Sequence, residues 1–446
     1  MHRRGHTVWV CVGLGLAAFY VAWASYRVHI DDSDLIDFHR TGLHWWQTGE
    51  FTQGEGVRHY LPAFVILVAP LVAWPLKLVA PLWTVLNIAL LLVTVRECGR
   101  VLARSDRDPL PFSVRRVWPI VLVLPYLHST LGLGQVNLPV LCLGVLAFSR
   151  CWESRRDMTA GALIALAGVI KIYPLLLVLF WLARGRWRAF ASAAIAFVLL
   201  TGGLSAAGFG WEGSKAAHRL WLAEVRGRKY QTPEELAGGD RLGHLLFWQQ
   251  RNQFHRHNNQ SLAAVVRRLT TDPGSTGRKD RPVHLLRLTI GQSRGLYYLS
   301  AGAVLGFLLI ATWARRKGAT PAGDFRSYGA WLAGVVAFVP IYWTHYFVLL
   351  LPAMAVLSAD VWRRRREKHR VGWSEVLFAL WLLAIPLLGL TVLRLAGLHC
   401  WLALATMVWA TWPLGTAGFD YRRDEVIRQE PEIPRLRDRR AAKECH

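Results

Sequence analysis

The chain lacks the cysteine patterns that build metal sites or disulfide frameworks. Its six cysteines include no CxxC pair, and most of them fall in apolar runs or basic segments. A structural zinc site or a disulfide-stapled fold needs closely and regularly spaced cysteines. The sequence therefore argues against both.

Acidic residues are also scarce. The 29 Asp and Glu residues stand against 53 Lys and Arg, which gives a formal net charge of +24. No soluble basic domain stands apart from the apolar runs, so we expect no nucleic-acid partner. The basic residues instead form short bursts between those runs, at 184–188, 315–317 and 363–370. This is the positive-inside pattern of membrane proteins, and it predicts a cytoplasmic face that meets anionic lipid.

Hydrophobic residues, by contrast, make up 53% of the chain, and several apolar runs are long enough to cross about 30 Å of hydrocarbon. The first run, Val8 to Tyr26, follows His2-Arg3-Arg4 in the manner of a signal peptide. It has no small-x-small cleavage site before Asp31. We therefore interpret it as a retained first span.

Charge alternation predicts an all-α integral membrane protein, a bundle of about 12 transmembrane helices with both termini cytoplasmic. The proline-broken stretch 61–76 is predicted to form a helix in the outer interface. The polar segments 29–60 and 208–293 are predicted to be outer loops. We expect one transmembrane domain over 1–416 and a basic cytoplasmic tail over 417–446. The predicted spans lie near 8–27, 80–99, 117–132, 137–150, 158–170, 174–183, 189–207, 296–313, 328–343, 346–361, 373–393 and 399–415.

Four aspartates follow the first span: Asp31, Asp32, Asp34 and Asp37. A carboxylate at the membrane surface can act as a general base toward a hydroxyl group. The alternatives are an acidic loop that only faces water, and a site for a divalent cation.

Two further segments carry polar residues at the outer ends of apolar runs. Gln135 and Asn137 flank Val136 after Gly134, which suits either a plain tight turn or a turn whose amides reach sugar hydroxyls. Lys171 ends a fully apolar run, where a cation is costly unless it is paired. It is a candidate phosphate ligand, and the alternative is a lysine that extends to the interface.

Two histidine-containing segments complete the candidates. His345 stands between Trp343 and Tyr346 where two apolar runs meet, and an aromatic belt explains the aromatic residues but not the histidine. The segment 255–261, with Arg267 beyond it, could hold a phosphate, or it could be a solvated loop that ends at a helix cap on Ser261. A metal site there is disfavoured because no carboxylate or cysteine is near.

In order, these motifs resemble the bacterial polytopic alpha-mannosyltransferase family of GT-C type, which includes the mycobacterial phosphatidylinositol mannoside mannosyltransferase. Members use polyprenyl phosphate sugars as donors. Three positions depart from the family pattern, since Phe38 stands for tyrosine, Leu61 for proline, and Asp37 for an apolar residue. The matching segments are 34–38, 60–62, 70–71, 134–137, 171–174, 259–261 with Arg267, and 343–346.

The resemblance implies an inverting hexosyltransferase, usually a mannosyltransferase, with its active site on the extracytoplasmic face of a bacterial inner membrane. Asp34 would be the general base, with Asp31 or Asp32 as alternatives. Lys171, His345 and Arg267 would hold the donor phosphate. The residues implied to contact the sugar or the acceptor are Tyr60, Gln135, Asn137, Tyr173, Asn259, Gln260, Trp343 and Tyr346.

The implied substrates are a polyprenyl phosphate sugar and a lipid or glycan acceptor, with no resident cofactor or metal. Two other classes remain open. A transporter or lipid flippase would also use interrupted helices and intramembrane polar residues, but the hydropathy shows no inverted repeat and the polar groups gather on one face. The second class is a non-catalytic membrane scaffold of the same fold.

Overall fold

The computed structural model of this chain describes residues 2–51, 60–104, 110–153, 156–225, 256–271, 285–316, 320–339, 341–387 and 390–411. The predictions for His255, for much of the segment 208–293 and for the basic tail over 417–446 lie outside the described residues.

The described residues form helices joined by turns, with a single isolated β-bridge between Asn259 and Trp343. This confirms the all-α class. Short 3₁₀ or π segments at Ala69–Ala73, Ser113–Val117 and Thr344–Leu350 extend or connect the α-helices. The helices are α1 (His2–His29), α2 (Asp34–Thr48), α3 (Pro62–Val68), α4 (Leu76–Ala103), α5 (Trp118–Gly132), α6 (Asn137–Glu153), α7 (Asp157–Ile170), α8 (Leu176–Ala183), α9 (Trp187–Val198), α10 (Leu204–Val225), α11 (Leu262–Thr270), α12 (Ile290–Ala314), α13 (Pro321–Gly334), α14 (Leu351–Arg366), α15 (Trp373–Leu387), α16 (Thr391–Leu395) and α17 (Leu398–Thr411).

Five helical segments of the described part are long and apolar enough to cross a bilayer. They are Cys11–His29, Leu76–Ala103, Trp187–Ala223, Gly291–Ala314 and Thr344–Arg366. The other apolar helices are shorter: a helix the length of α7, with 14 residues, reaches only about 21 Å. The helices support a membrane protein, and the count of twelve spans stays a prediction.

The predicted outer loop over 29–60 contains helix α2. Ser33 caps this helix, and its hydroxyl accepts a hydrogen bond from the Leu35 amide. Asp34 and Asp37 lie in the first turn, where the positive end of the helix dipole stabilises a carboxylate. One face, which includes Leu35 and Phe38, is buried. A polar helix of this kind reads as a loop in a hydropathy profile because only one face is apolar.

A second difference concerns the span predicted over 189–207. Helix α9 continues through a π segment into α10, which runs to Val225 and is kinked at Gly210, where φ is 70°. The backbone of Gly210 is not helical, so one helix ends close to the predicted limit at residue 207 and a second helical segment follows it.

An apolar cluster fixes α2 against the starts of α3 and α4. The ring of Phe38, which is fully buried, meets the rings of Tyr60 and Phe64 edge-on, each at 5.3 Å. Val79 of α4 and Val136 belong to the same cluster. Phe38, which departs from the family pattern, is thus a packing residue. The carboxylate of Asp34 lies one helical turn before it on α2.

Candidate active site

Asp34 is the first residue of α2 and is held against the end of α5. Its backbone amide donates to the carbonyl of Leu133 at 2.9 Å, and the hydroxyl of Ser33 donates to the same carbonyl at 3.0 Å. These bonds fix where α2 begins. They orient the partly buried carboxylate of Asp34 toward the turn that follows α5.

Gly134 makes this approach of two elements possible. Its φ is +66°, a region that side-chain-bearing residues rarely adopt. A Cβ at this position would also lie 2.8 Å from the Cβ of Leu35 and 3.2 Å from the hydroxyl of Ser33. The indole of Trp83 donates to the Gly134 carbonyl at 2.9 Å. The turn and the start of α2 therefore fit together only with glycine here.

The turn delivers two amide side chains to a buried lysine. Gln135 donates from Nε2 to Asp34, and its Oε1 accepts from the ammonium of Lys171 at 3.1 Å. The Oδ1 of Asn137 accepts from the same ammonium at 2.9 Å. Gln135 thus connects the carboxylate of Asp34 to the cation of Lys171. Lys171 is only 8% exposed, so it does not extend to the interface.

Tyrosine rings enclose the ammonium of Lys171. It lies 4.0 Å from the ring centre of Tyr346 and 5.7 Å from that of Tyr60. Tyr173 packs beside Tyr346, and its hydroxyl donates to the Oδ1 of Asn137 at 3.4 Å. Contacts of a cation with ring faces replace part of the hydration that a buried ammonium loses.

His345 approaches the same group from the 3₁₀ segment that leads into α14. Its carbonyl accepts from Thr130 at 3.0 Å and from Asn137 at 3.2 Å. Its ring packs on Tyr346, and the buried Nε2 has no hydrogen-bond partner among the described residues. That nitrogen is free to bond a ligand.

Burial and neighbouring charge shift the pKa values of Asp34 and Lys171, which lie outside the predicted spans. Burial raises the pKa of the Asp34 carboxyl, while the bond from Gln135 and the charge of Lys171 oppose the rise. Burial lowers the pKa of Lys171 to about 7, against the attraction of Asp34. A carboxylate with a raised pKa is a stronger base, and an ammonium with a lowered pKa gains most from an added anion.

The neighbouring aspartates have other partners. Asp31 pairs with Arg40 at 3.0 Å and Asp32 with Arg27 at 2.9 Å, and both carboxylates are largely exposed. Neither is directed to the Lys171 group by these bonds. Within the described ranges no group of three or more His, Cys, Asp or Glu side chains could hold a metal ion.

The remaining predicted site residues form an adjoining group. The Oδ1 of Asn259 accepts from the backbone of Tyr342 and of Ser261, and Gln260 donates to the carbonyls of His257 and Arg394. Asn259 bridges to Trp343, two residues before His345. Ser261 caps α11, as in the solvated-loop alternative, but it is fully buried together with Asn259 and Gln260. Arg267 lies buried on that helix.

Two residues that shape the site carry no functional signal in the sequence. Thr130 lies within the apolar α5 and donates to the His345 carbonyl, and Trp83 of α4 binds Gly134. A hydroxyl in an apolar helix usually bonds its own backbone four residues back. No pattern in the sequence indicated these long-range partners.

Comparison with known proteins agrees with the resemblance drawn from the motifs. The model of glycosyltransferase family 87 matches residues 59–325, more than half of the chain. Gln135, Asn137 and Lys171 lie inside that match, whereas Asp34 and His345 lie outside it. No solved structure matches the chain.

Two similar relatives come from mycobacteria. A polyprenol-phosphate-mannose-dependent alpha-(1-2)-phosphatidylinositol mannoside mannosyltransferase of Mycobacterium tuberculosis is 25% identical, over 91% of this chain and 88% of the relative. A polyprenol-phosphate-mannose-dependent alpha-(1-2)-phosphatidylinositol pentamannoside mannosyltransferase of Mycolicibacterium smegmatis is 28% identical, over 81% and 75%. Because the family model matches more than half of its length, this chain belongs to glycosyltransferase family 87.

Proposed function

We propose that this protein transfers mannose from a polyprenyl phosphate mannose donor to a hydroxyl group of a lipid acceptor, with inversion at the anomeric carbon. The reaction takes place on the extracytoplasmic face of the bacterial inner membrane. The donor follows from the similar relatives, whose names specify polyprenol-phosphate-mannose. Their acceptors are phosphatidylinositol mannosides, which makes a mannosylated lipid the first acceptor to test.

The observation that carries the proposal is the connection from Asp34 through Gln135 to Lys171, with His345 close by. A displacement at a sugar carbon needs a base for the attacking hydroxyl and positive charge for the leaving phosphate. The connection supplies both within one group of side chains. Asp31 and Asp32 are less suited to be the base because each carboxylate is largely exposed and paired with an arginine.

The chemistry follows from this arrangement. The acceptor oxygen forms a bond to the anomeric carbon while its proton passes to a carboxylate oxygen of Asp34. The bond from that carbon to the phosphate oxygen breaks, and its electron pair leaves with the polyprenyl phosphate. Lys171 and the Nε2 of His345 stabilise the negative charge on the leaving phosphate. Arg267 is a further candidate for this role.

The compartment supports a lipid-linked donor. Nucleotide sugars are confined to the cytoplasm. The basic bursts at 184–188 and 363–370 support an extracytoplasmic position for the Asp34 side of the molecule. A site on that side needs an activated sugar that a lipid can carry across the membrane.

The test is mannose transfer by purified protein from labelled polyprenyl phosphate mannose to a phosphatidylinositol mannoside. Asp34→Asn is expected to lower kcat at least about a hundredfold, because general-base catalysis contributes roughly 10²–10⁴. Asp31→Asn and Asp32→Asn are the matched controls and are expected to keep most of the activity. Lys171→Met is expected to weaken use of the donor.

Two results would contradict the proposal. Full activity in Asp34→Asn with loss in Asp32→Asn would assign the base to the neighbouring carboxylate. Wild-type protein that binds the donor but transfers mannose to no lipid or glycan acceptor would favour the scaffold or flippase alternatives.

A further inference from the structure

A cavity lined by arginines lies at the other end of α4 from Asp34. Its volume is about 290 Å³, and it lies between the last turns of α4 and the π segment Ser113–Val117 that precedes α5. The side chain of Arg115 packs over Gly99. The described residues that line it are Arg96, Gly99, Arg100, Ala103, Arg104, Arg115 and Arg116.

The described side chains that line this cavity carry charge of one sign, in five guanidinium groups. Glu97 pairs with one of them, Arg100, at 2.5 Å. The buried Nε of Arg115 has no hydrogen-bond partner in the described part of the chain. Guanidinium groups around a concave site favour an anion with several oxygen atoms, such as a phosphate.

An exposed apolar face of α4 leads directly to this cavity. Its residues recur every three or four positions, so they lie along one side of the helix, and the same spacing continues through Arg96, Arg100 and Arg104. The apolar members are Leu78, Leu82, Val85, Leu86, Ala89, Leu92 and Val93. The helix thus offers an acyl-chain surface that ends at a phosphate-binding cavity.

The length of α4 places the cavity at a headgroup layer. The helix has 28 residues, which extend about 42 Å, close to the thickness of a bilayer with its headgroups. Its first turns contact the cluster around Tyr60 on the active-site side. The arginines therefore lie at the opposite membrane surface, which the positive-inside pattern makes cytoplasmic.

We propose that this cavity binds the phosphate group of an anionic phospholipid, whose acyl chains lie along the exposed face of α4. The site is separate from the Asp34 group and holds a lipid of the cytoplasmic leaflet. Charge and apolar surface together distinguish a phospholipid from a soluble phosphate, which would use the arginines alone.

The test is lipid binding to the purified full-length protein by native mass spectrometry. The probes are phosphatidylglycerol and phosphatidylcholine with identical acyl chains. Wild-type protein is expected to prefer phosphatidylglycerol.

The double variant Arg96→Gln/Arg116→Gln changes two exposed positions. It is expected to bind phosphatidylglycerol about thirtyfold more weakly than wild type. Leu92→Gln is expected to weaken binding without a change in charge. Arg188→Gln, at an exposed arginine away from the cavity, is the matched control.

Three outcomes would overturn the proposal. The double variant could keep wild-type selectivity, or Arg188→Gln could lose as much binding as the double variant, which would indicate surface charge without a site. Inorganic phosphate could displace the lipid at equal concentration, which would indicate a simple anion site. If the double variant does not fold, the single variant Arg96→Gln, compared with Arg188→Gln, decides between the same outcomes.

Discussion

At the scale of the residue, the structure separates aspartates that the sequence leaves equivalent. Asp31 and Asp32 are exposed and pair with Arg40 and Arg27, whereas Asp34 is partly buried and bonded to Gln135. Their positions differ by at most three residues. The N-cap at Ser33 explains the difference, because the helix that begins after it turns the Asp34 side chain toward α5.

The opposed pKa shifts of Asp34 and Lys171 predict a bell-shaped pH profile of kcat/KM. Activity falls at low pH as the Asp34 carboxyl becomes protonated, at a pH above the ordinary range of aspartate because its pKa is raised. It falls at high pH as Lys171 loses its proton, near the pKa of about 7 of the free enzyme.

Lys171→Arg tests the alkaline limb. A guanidinium stays charged, so the limb is expected to move upward or disappear while the acid limb stays in place. Lys215→Arg, at an exposed lysine paired with Glu212, is the control and should leave the profile unchanged. An alkaline limb that is identical in Lys171→Arg and wild type would show that deprotonation of Lys171 does not cause the loss of activity at high pH.

At the scale of the element, the turn between α5 and α6 decides whether the site forms. Gly134→Ala is expected to cost stability through its positive φ and through the clash with Leu35, and to lower kcat by displacing Gln135. The strain alone costs about 1–2 kcal/mol. The measurements are thermal unfolding in micelles and mannose transfer.

Gly185→Ala separates the two effects. Gly185 has a φ of +70°, but nothing lies within 4 Å of a Cβ built there. This variant should carry the backbone strain and keep its activity. Equal losses of stability and activity in the two variants would show that the contact of Gly134 with Leu35 has no part in positioning the site.

At the scale of the whole molecule, a buried ion pair joins α13 to the residue after α8. Arg184 and Asp324 meet at 2.6 Å, and their side chains are 4% and 1% exposed. Asp324→Asn leaves the arginine charge without its partner, and we expect a loss of about 3–5 kcal/mol in the free energy of unfolding.

The double variant Arg184→Met/Asp324→Leu is expected to recover most of that loss in thermal unfolding, because it removes both charges. Asp31→Asn breaks an exposed pair with Arg40 and should cost less than about 1 kcal/mol. A loss in Asp324→Asn no larger than that of Asp31→Asn would contradict a stabilising role for the buried pair.

The orientation of the whole chain is testable by cysteine labelling. With Cys11 and Cys445 replaced by serine, Arg40→Cys is expected to react with an impermeant maleimide added to intact cells. Arg188→Cys should react only after permeabilisation, since the positive-inside pattern predicts a cytoplasmic position for it. The reverse pattern would invert the proposed face of the reaction.

The sequence by itself determined the membrane class, the helical fold and the family, because apolar runs, charge alternation and ordered motifs are local properties. It also indicated the residues that gather around Lys171. It could not show α2 as a helix, since one apolar face is too little for a hydropathy signal.

Only the tertiary structure decided which side chains meet. The approach of α2 to the turn at Gly134, the bond from Thr130 to the His345 carbonyl, and the burial of Lys171 between tyrosine rings join segments that lie far apart in the chain. The physical reason is that such contacts depend on the packing of several helices, and no local pattern records it. The same packing distinguishes Asp34 from Asp31 and Asp32 as the candidate base.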